Sequence, residues 1–144
     1  MPMPTYTNAT TVDAPAERVW QVLTDVEHWP ELTASMTSVR GLDGPRPVLG
    51  ARFEVRQPRL RPAVWTVTRL VEGTAFDWES HAPGVRTRGT HRLEPAGSST
   101  RLTLTIDQSG VLAWPLAFLA ARTIRRYLAM EAAGLAAAST RPAP

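Results

Sequence analysis

The chain has 144 residues, a formal charge of +3, 43% apolar and 20% charged side chains, and no cysteine. That length supplies one hydrophobic core rather than two, and the missing cysteines exclude disulfides, thiolate nucleophiles, iron–sulfur ligation and sulfur-bound zinc. Lysine is absent as well, all 16 Lys-or-Arg positions being arginine, which excludes a Schiff-base lysine and a phosphate-loop lysine.

The first residues lack a basic stretch followed by an apolar one, and no run approaches the length of about 18 apolar residues that spans a bilayer. The longest apolar run, 111–121, is broken by Pro115 and closed by Arg122, which suits the start of a buried helix. These features predict a soluble, cytoplasmic protein of one domain, 1–144, whose tail frays over 140–144.

In chain order, residues 6–12 alternate β-branched with small or polar side chains and read as a strand. Asp13-Ala14-Pro15-Ala16-Glu17 then signals a helix start, with Asp13 or Ala14 at the cap, Pro15 in the first turn and Glu17 at the positive end. Val19, Trp20, Leu23 and Val26 keep helical spacing; Glu27-His28-Trp29-Pro30 breaks it, and Pro30-Glu31-Leu32 opens a second short helix. From Met36 to Gly110 the period falls to two and the punctuation becomes that of turns, which predicts strands at 37–42, 51–57, 64–71, 76–81, 85–94 and 101–108. Leu116 to Thr140 contains no proline and is rich in Ala, Leu and Arg, so a long helix closes the chain. The expected class is α+β: a seven-stranded antiparallel sheet that must curl, with the long helix across its concave side and a cavity between them.

The Pro83-Gly84 turn pairs Phe76 with His91, Trp78 with Gly89 and Ser80 with Thr87 if the loop has an even number of residues. The opposite face then carries Asp77, Glu79, Arg86, Arg88, Thr90 and Arg92, an opposite-charge ladder that belongs in water, so the aromatic face turns inward. A glycine under Trp78 means aromatic cover or room for a ligand. His91 is an inward histidine, either satisfied by a backbone carbonyl or water or acting as acid and base. His81 and His28 fall elsewhere, so no metal site is expected.

On the last helix Leu112, Leu116, Leu119, Thr123, Ile124, Tyr127, Met130 and Leu135 share one arc, with Arg122, Arg125 and Arg126 on the other side; without aromatic interleaving these read as a solvated face ahead of a membrane-surface or nucleic-acid one. Glu131 lies within the apolar arc and needs a partner there, such as Arg69 or a backbone group, or a wet cavity. Tyr127 would bring its hydroxyl to the cavity. The inner faces of the other strands supply Phe53, Val55, Trp65, Val67, Leu102, Leu104 and Ile106, so that Trp20, Trp65 and Trp78 line or border the cavity unless they fill it.

The opening Val12-Asp13-Ala14-Pro15-Ala16-Glu17-Arg18-Val19-Trp20, then Leu23-Thr24-Asp25-Val26-Glu27-His28-Trp29-Pro30, Gly50-Ala51-Arg52-Phe53, Thr66-Val67-Thr68 and Arg125-Arg126-Tyr127-Leu128, resembles the START-like superfamily, in its polyketide cyclase/dehydratase-type branch. The resemblance implies the helix-grip fold and a cavity for a hydrophobic ligand, in a group whose members cyclise or dehydrate polyketides or carry lipids or quinones. It transfers no catalytic motif.

Three readings follow. The first is a binder of a hydrophobic or aromatic small molecule, through Phe53, Trp65, Val67, Arg69, Phe76, Trp78, Gly89, His91, Leu104, Leu119, Thr123 and Tyr127. The second is a polyketide cyclase or dehydratase with His91 as proton shuttle, Tyr127 or Glu131 as polarising partner and Arg69 holding an anionic end. The third is a protein-interaction module using the arginine face or a sheet edge. None calls for a cofactor, a metal, nucleic acid or stable membrane insertion, and an edge strand leaves a homodimer open.

Overall fold

The computed structural model describes residues 3–142; of the expected frayed tail, 143–144 lie outside the described residues. Strand β1 (Thr5–Val12) leads into α1 (Ala16–Thr24), a single 3-10 turn (Val26–His28) and α2 (Trp29–Leu32). There follow β2 (Ser38–Gly41), β3 (Arg52–Arg56), β4 (Ala63–Val71), β5 (Ala75–Ala82), β6 (Val85–Ala96), β7 (Ser99–Ser109) and the closing helix α3 (Ala113–Ser139). All neighbours pair antiparallel in one seven-stranded sheet of order β1-β7-β6-β5-β4-β3-β2. The curved sheet, with α3 as its long helix, is the α+β helix-grip arrangement expected from the periodicity.

The β5–β6 hairpin has the expected register. Ala82 pairs with Val85 across the two-residue turn, and Phe76–His91, Trp78–Gly89 and Ser80–Thr87 face one another. Gly84 sits at φ +79°, a conformation that a two-residue hairpin turn needs and a side chain resists.

Three local readings are corrected. Pro15, with extended ψ of 153°, is the N-cap of α1 in place of Asp13 or Ala14. The break between the two short helical segments falls at Asp25 (φ −88°, ψ 58°) and not within Glu27-His28-Trp29-Pro30, where the 3-10 turn hands directly to α2, whose second residue is Pro30. Helix α3 begins at Ala113, before Pro115, because a proline in the first turn forfeits only an amide that has no partner in the helix anyway.

A fourth correction alters the site. Between β4 and β5 the register shifts at Thr68: Val67 pairs with Trp78, yet Arg69 pairs with Asp77. The extra residue reverses the inward–outward phase of β4. Plain alternation from Trp65 and Val67 would turn Arg69 inward; the bulge turns it outward, beside Asp77, and brings Leu70 to the core. Asp77 in turn is not in water. It is only 7% exposed, and burial raises its pKa against the opposing pull of Arg69, Arg92 and Arg88.

The core lies on the concave side and joins Val19, Leu23 and Val26 of the first helical segments to Phe53, Phe76 and Leu102 of the sheet and to Leu128, Ala132 and Leu135 of α3. Leu23, Val26, Phe53, Phe76 and Leu102 have no measurable exposure. Burying each side chain of that kind contributes about 1.5–3 kcal/mol.

Candidate functional site

Between the concave face and the second half of α3 the chain encloses a cavity of about 40 Å³, room for a few water molecules. Strand alternation aims Val55, Trp65, Trp78, Gly89, His91, Leu104 and Ile106 into it; Trp29 and Met36 come from the α2–β2 segment, and Leu128, Glu131 and Leu135 from α3. Its smallness has a visible cause. Trp78 sits at the centre of an aromatic cluster, 5.6 Å from both Trp29 and Trp65, 5.8 Å from Phe53 and 5.5 Å from both Phe76 and His91 between ring centroids. Its indole also covers Gly89, where a Cβ would come within 3.0 Å of Nε1. The glycine therefore provides aromatic cover.

His91 stacks on Phe76 at 4.1 Å and 15°, and its Nδ1 lies 3.0 Å from the Phe76 carbonyl oxygen. A carbonyl only accepts, so Nδ1 carries the proton and Nε2 is left as an acceptor. Burial lowers the His91 pKa to about 4, opposed by that hydrogen bond; the ring is neutral at pH 7. Glu131 is half-buried, and Gln57 Nε2 donates both to its Oε1 (3.4 Å) and to the Ser35 carbonyl (3.2 Å). Burial pushes the Glu131 carboxyl up to about 8, so at pH 7 it is a protonated acid rather than an anion. A neutral acceptor and a neutral acid thus line the same apolar cavity. Among the described residues no three His, Asp or Glu side chains gather as metal ligands would.

Of the residues expected at the site, Trp65, Trp78, Gly89, His91, Leu104 and Glu131 line the cavity, while Phe53, Val67 and Phe76 are buried in the core without lining it. Four lie elsewhere. Arg69 is on the outer face because of the Thr68 bulge, so it neither pairs with Glu131 nor reaches a ligand in the cavity. Leu119 is 85% exposed: it lies on the solvent side of α3, across the helix from Ala113 and Ala117, which are buried. Thr123 and Tyr127 line a separate groove of about 200 Å³ with Arg59, Arg126 and Met130, and the Tyr127 hydroxyl donates to the Pro58 carbonyl. Trp20 does not line the cavity either: its Nε1 donates to Glu72 Oε1 at 3.1 Å.

Trp29, Met36, Leu128 and Leu135 are lining residues that the sequence reading did not assign to the site. Trp29 was obscured by Pro30, which looks like a helix break. Its Nε1 donates to the Leu23 carbonyl at 3.2 Å, a tie that fixes the indole over the cavity.

A curved sheet gripping a long helix over an enclosed aromatic cavity defines a START-like protein. Residues 3–140 match the family model described as polyketide cyclase / dehydrase and lipid transport, and the chain belongs to that family. Solved structures agree in fold. A hypothetical protein from Helicobacter pylori superposes with a TM-score of 0.82 at 19% identity, over 96% of this chain and 89% of that one. Ara h 8.0201 gives 0.74 at 13% identity, over 96% and 99%. A norcoclaurine synthase point mutant from Thalictrum, solved with a transition-state analogue, gives 0.75 at 13%, over 95% and 94%. At these identities the likeness is one of fold. A search of curated proteins returns no match. Among the described residues no helix is long and apolar enough to cross a membrane.

Proposed function

We propose that this protein binds a hydrophobic, aromatic-containing small molecule, of lipid, quinone or polyketide type, in the cavity under α3. The observation that carries the reading is the wall: Trp29, Trp65, Trp78, Leu104 and Leu128 surround two uncharged polar groups, His91 Nε2 and the Glu131 carboxyl. Apolar walls hold the body of such a ligand, and a few polar tips orient it. A ligand of drug size needs roughly 300 Å³ or more, so binding must displace side chains. Met36 is adaptable by its chemistry, and the Gln57–Glu131 hydrogen bond at 3.4 Å is a long one that a ligand group can replace.

The same pair supports a second reading, a cyclase- or dehydratase-type proton transfer. His91 is an acceptor and Glu131 a donor at one pH because burial moves their pKa values in opposite directions along the scale. In that reading His91 takes the proton next to a carbonyl and Glu131 donates to the oxygen.

Native mass spectrometry of freshly purified protein, with extraction of whatever is released, tests the first reading. The expected result is a mass excess due to an apolar compound, or failing that, quenching of tryptophan emission by lipids, quinones or polyphenols in a Trp114→Phe background. An empty protein that quenches with none of them overturns it. For the second reading, His91→Gln should retain affinity and lose turnover; equal turnover in the variant and the parent sinks it.

A further inference from the structure

The first half of α3 exposes what a helix normally buries. Phe118 is 91% exposed, Leu119 85% and Val111, just before the helix, 87%, with Trp114 at 40%. Trp114, Phe118, Arg122 and Arg125 follow one another at spacings of four, four and three residues and so stack along one side of the helix, with Leu119 and Arg126 beside them. The arginine face therefore has aromatic neighbours after all, contrary to the sequence reading: an apolar tip precedes a cationic belt on the same solvent side. The face has no acid, since Glu131 is the only acidic residue of α3 and lines the cavity. Among the described residues none of Arg122, Arg125 and Arg126 is ion-paired; Arg125 lies over the Tyr6 ring at 5.3 Å. Beside this face, against the start of β1, runs a groove of about 420 Å³ lined by Tyr6, Trp114, Phe118 and Arg125 among others, and no carboxylate is in its lining.

We propose that this face docks the protein reversibly on an anionic lipid bilayer, with Val111, Trp114, Phe118 and Leu119 entering the headgroup–acyl boundary and Arg122, Arg125 and Arg126 meeting the lipid phosphates. Both halves of the patch are then satisfied: the apolar tip leaves water, and the cations find anions. A second copy fits less well. A two-fold contact through this face would gather six arginines into one interface with no acid from α3 to offset them. Nucleic acid would suit the arginines but leave Val111 and Leu119 without a partner. This surface is independent of what the cavity holds.

The test is co-sedimentation of the full chain with phosphatidylcholine vesicles made with and without phosphatidylglycerol. Binding is expected only with the anionic lipid, accompanied by a blue shift of emission that Trp114→Phe removes. Each Arg→Gln change at 122, 125 or 126 should weaken binding about fivefold, and the double variant Phe118→Ser/Leu119→Ser should abolish it. Phe118, Leu119, Arg122 and Arg126 are exposed, so thermal melts of the variants at these positions, monitored by circular dichroism, should match the parent. Equal binding to neutral vesicles, a serine variant that binds like the parent, or a blue shift that survives Trp114→Phe overturns the proposal. Sedimentation velocity supplies the last arm: a monomer supports it, whereas a dimer dissolved by the serine substitutions overturns it and gives the face to a second copy.

Discussion

His91 holds its proton on Nδ1 for the Phe76 carbonyl and has no room to hold a second cheaply. Its pKa falls from 6.5 to about 4 on folding because burial penalises the imidazolium. The unfolded chain therefore takes up a proton that the folded one refuses as pH drops, and stability declines between pH 6.5 and 4 by up to roughly 3 kcal/mol. Replacing His91 with Phe should flatten that limb of the stability profile in urea titrations; an unchanged acid limb would mean the ring is not buried as described. Gly89, its neighbour on β6, makes a separate prediction. A methyl group there meets the Trp78 indole at 3.0 Å, and the ring is hemmed in by four other aromatics and His91. Gly89→Ala should cost about 1–3 kcal/mol and shift the tryptophan emission, both measurable in one denaturation series.

At the scale of elements, the Thr68 bulge decides which side of β4 meets the cavity. Removing Thr68 leaves Val67 inward, Arg69 outward and Leu70 inward, so the deletion should retain a cooperative melt. Removing Thr90 from β6, which pairs without a register shift on both sides, would throw either His91 or Gly89 to the outer face and should abolish folding; comparing the two melts checks the assignment. The same elements mark what a reader of the sequence can extract. Two-residue turns and strict alternation made the register of β5 with β6 legible, together with Trp65, Trp78, His91 and Leu104 as inward residues. The bulge is marked only by two polar residues in a row, Thr68 and Arg69, between Val67 and Leu70; a strict period of two passes over that break, and the error went directly to Arg69. On α3, hydrophobicity named an arc that includes Leu119, but the side that turns inward over the first half is the one carrying Ala113 and Ala117, small residues that give a weak hydrophobic signal. Pro30 concealed Trp29 for a similar reason: proline is as acceptable at the second position of a helix as it is disruptive in the middle.

For the molecule as a whole, the cavity carries a cost in stability that grows on the alkaline side. Glu131 keeps its proton up to about pH 8 when folded and releases it near 4.5 when unfolded. Its contribution is thus fullest below pH 4.5 and is lost as pH rises to 8, the opposite slope to that of His91. Glu131→Gln should raise the melting temperature at pH 8 and leave it nearly unchanged at pH 4, and a ligand that accepts a hydrogen bond from the protonated carboxyl should lose affinity above pH 8. The order of the sheet has a consequence of another kind. Among the described residues β1 precedes the other strands, yet its one neighbour in the sheet is β7, and Thr5 meets Asp107 across 102 residues of chain. Strands β2 to β7 can form hairpin by hairpin as they emerge, whereas β1 must wait until β7 has been made, and its loop closure falls late. During translation the unpaired edge of β7 is the template for that last pairing, and it is also where a nascent chain of this protein is most open to pairing with the wrong strand.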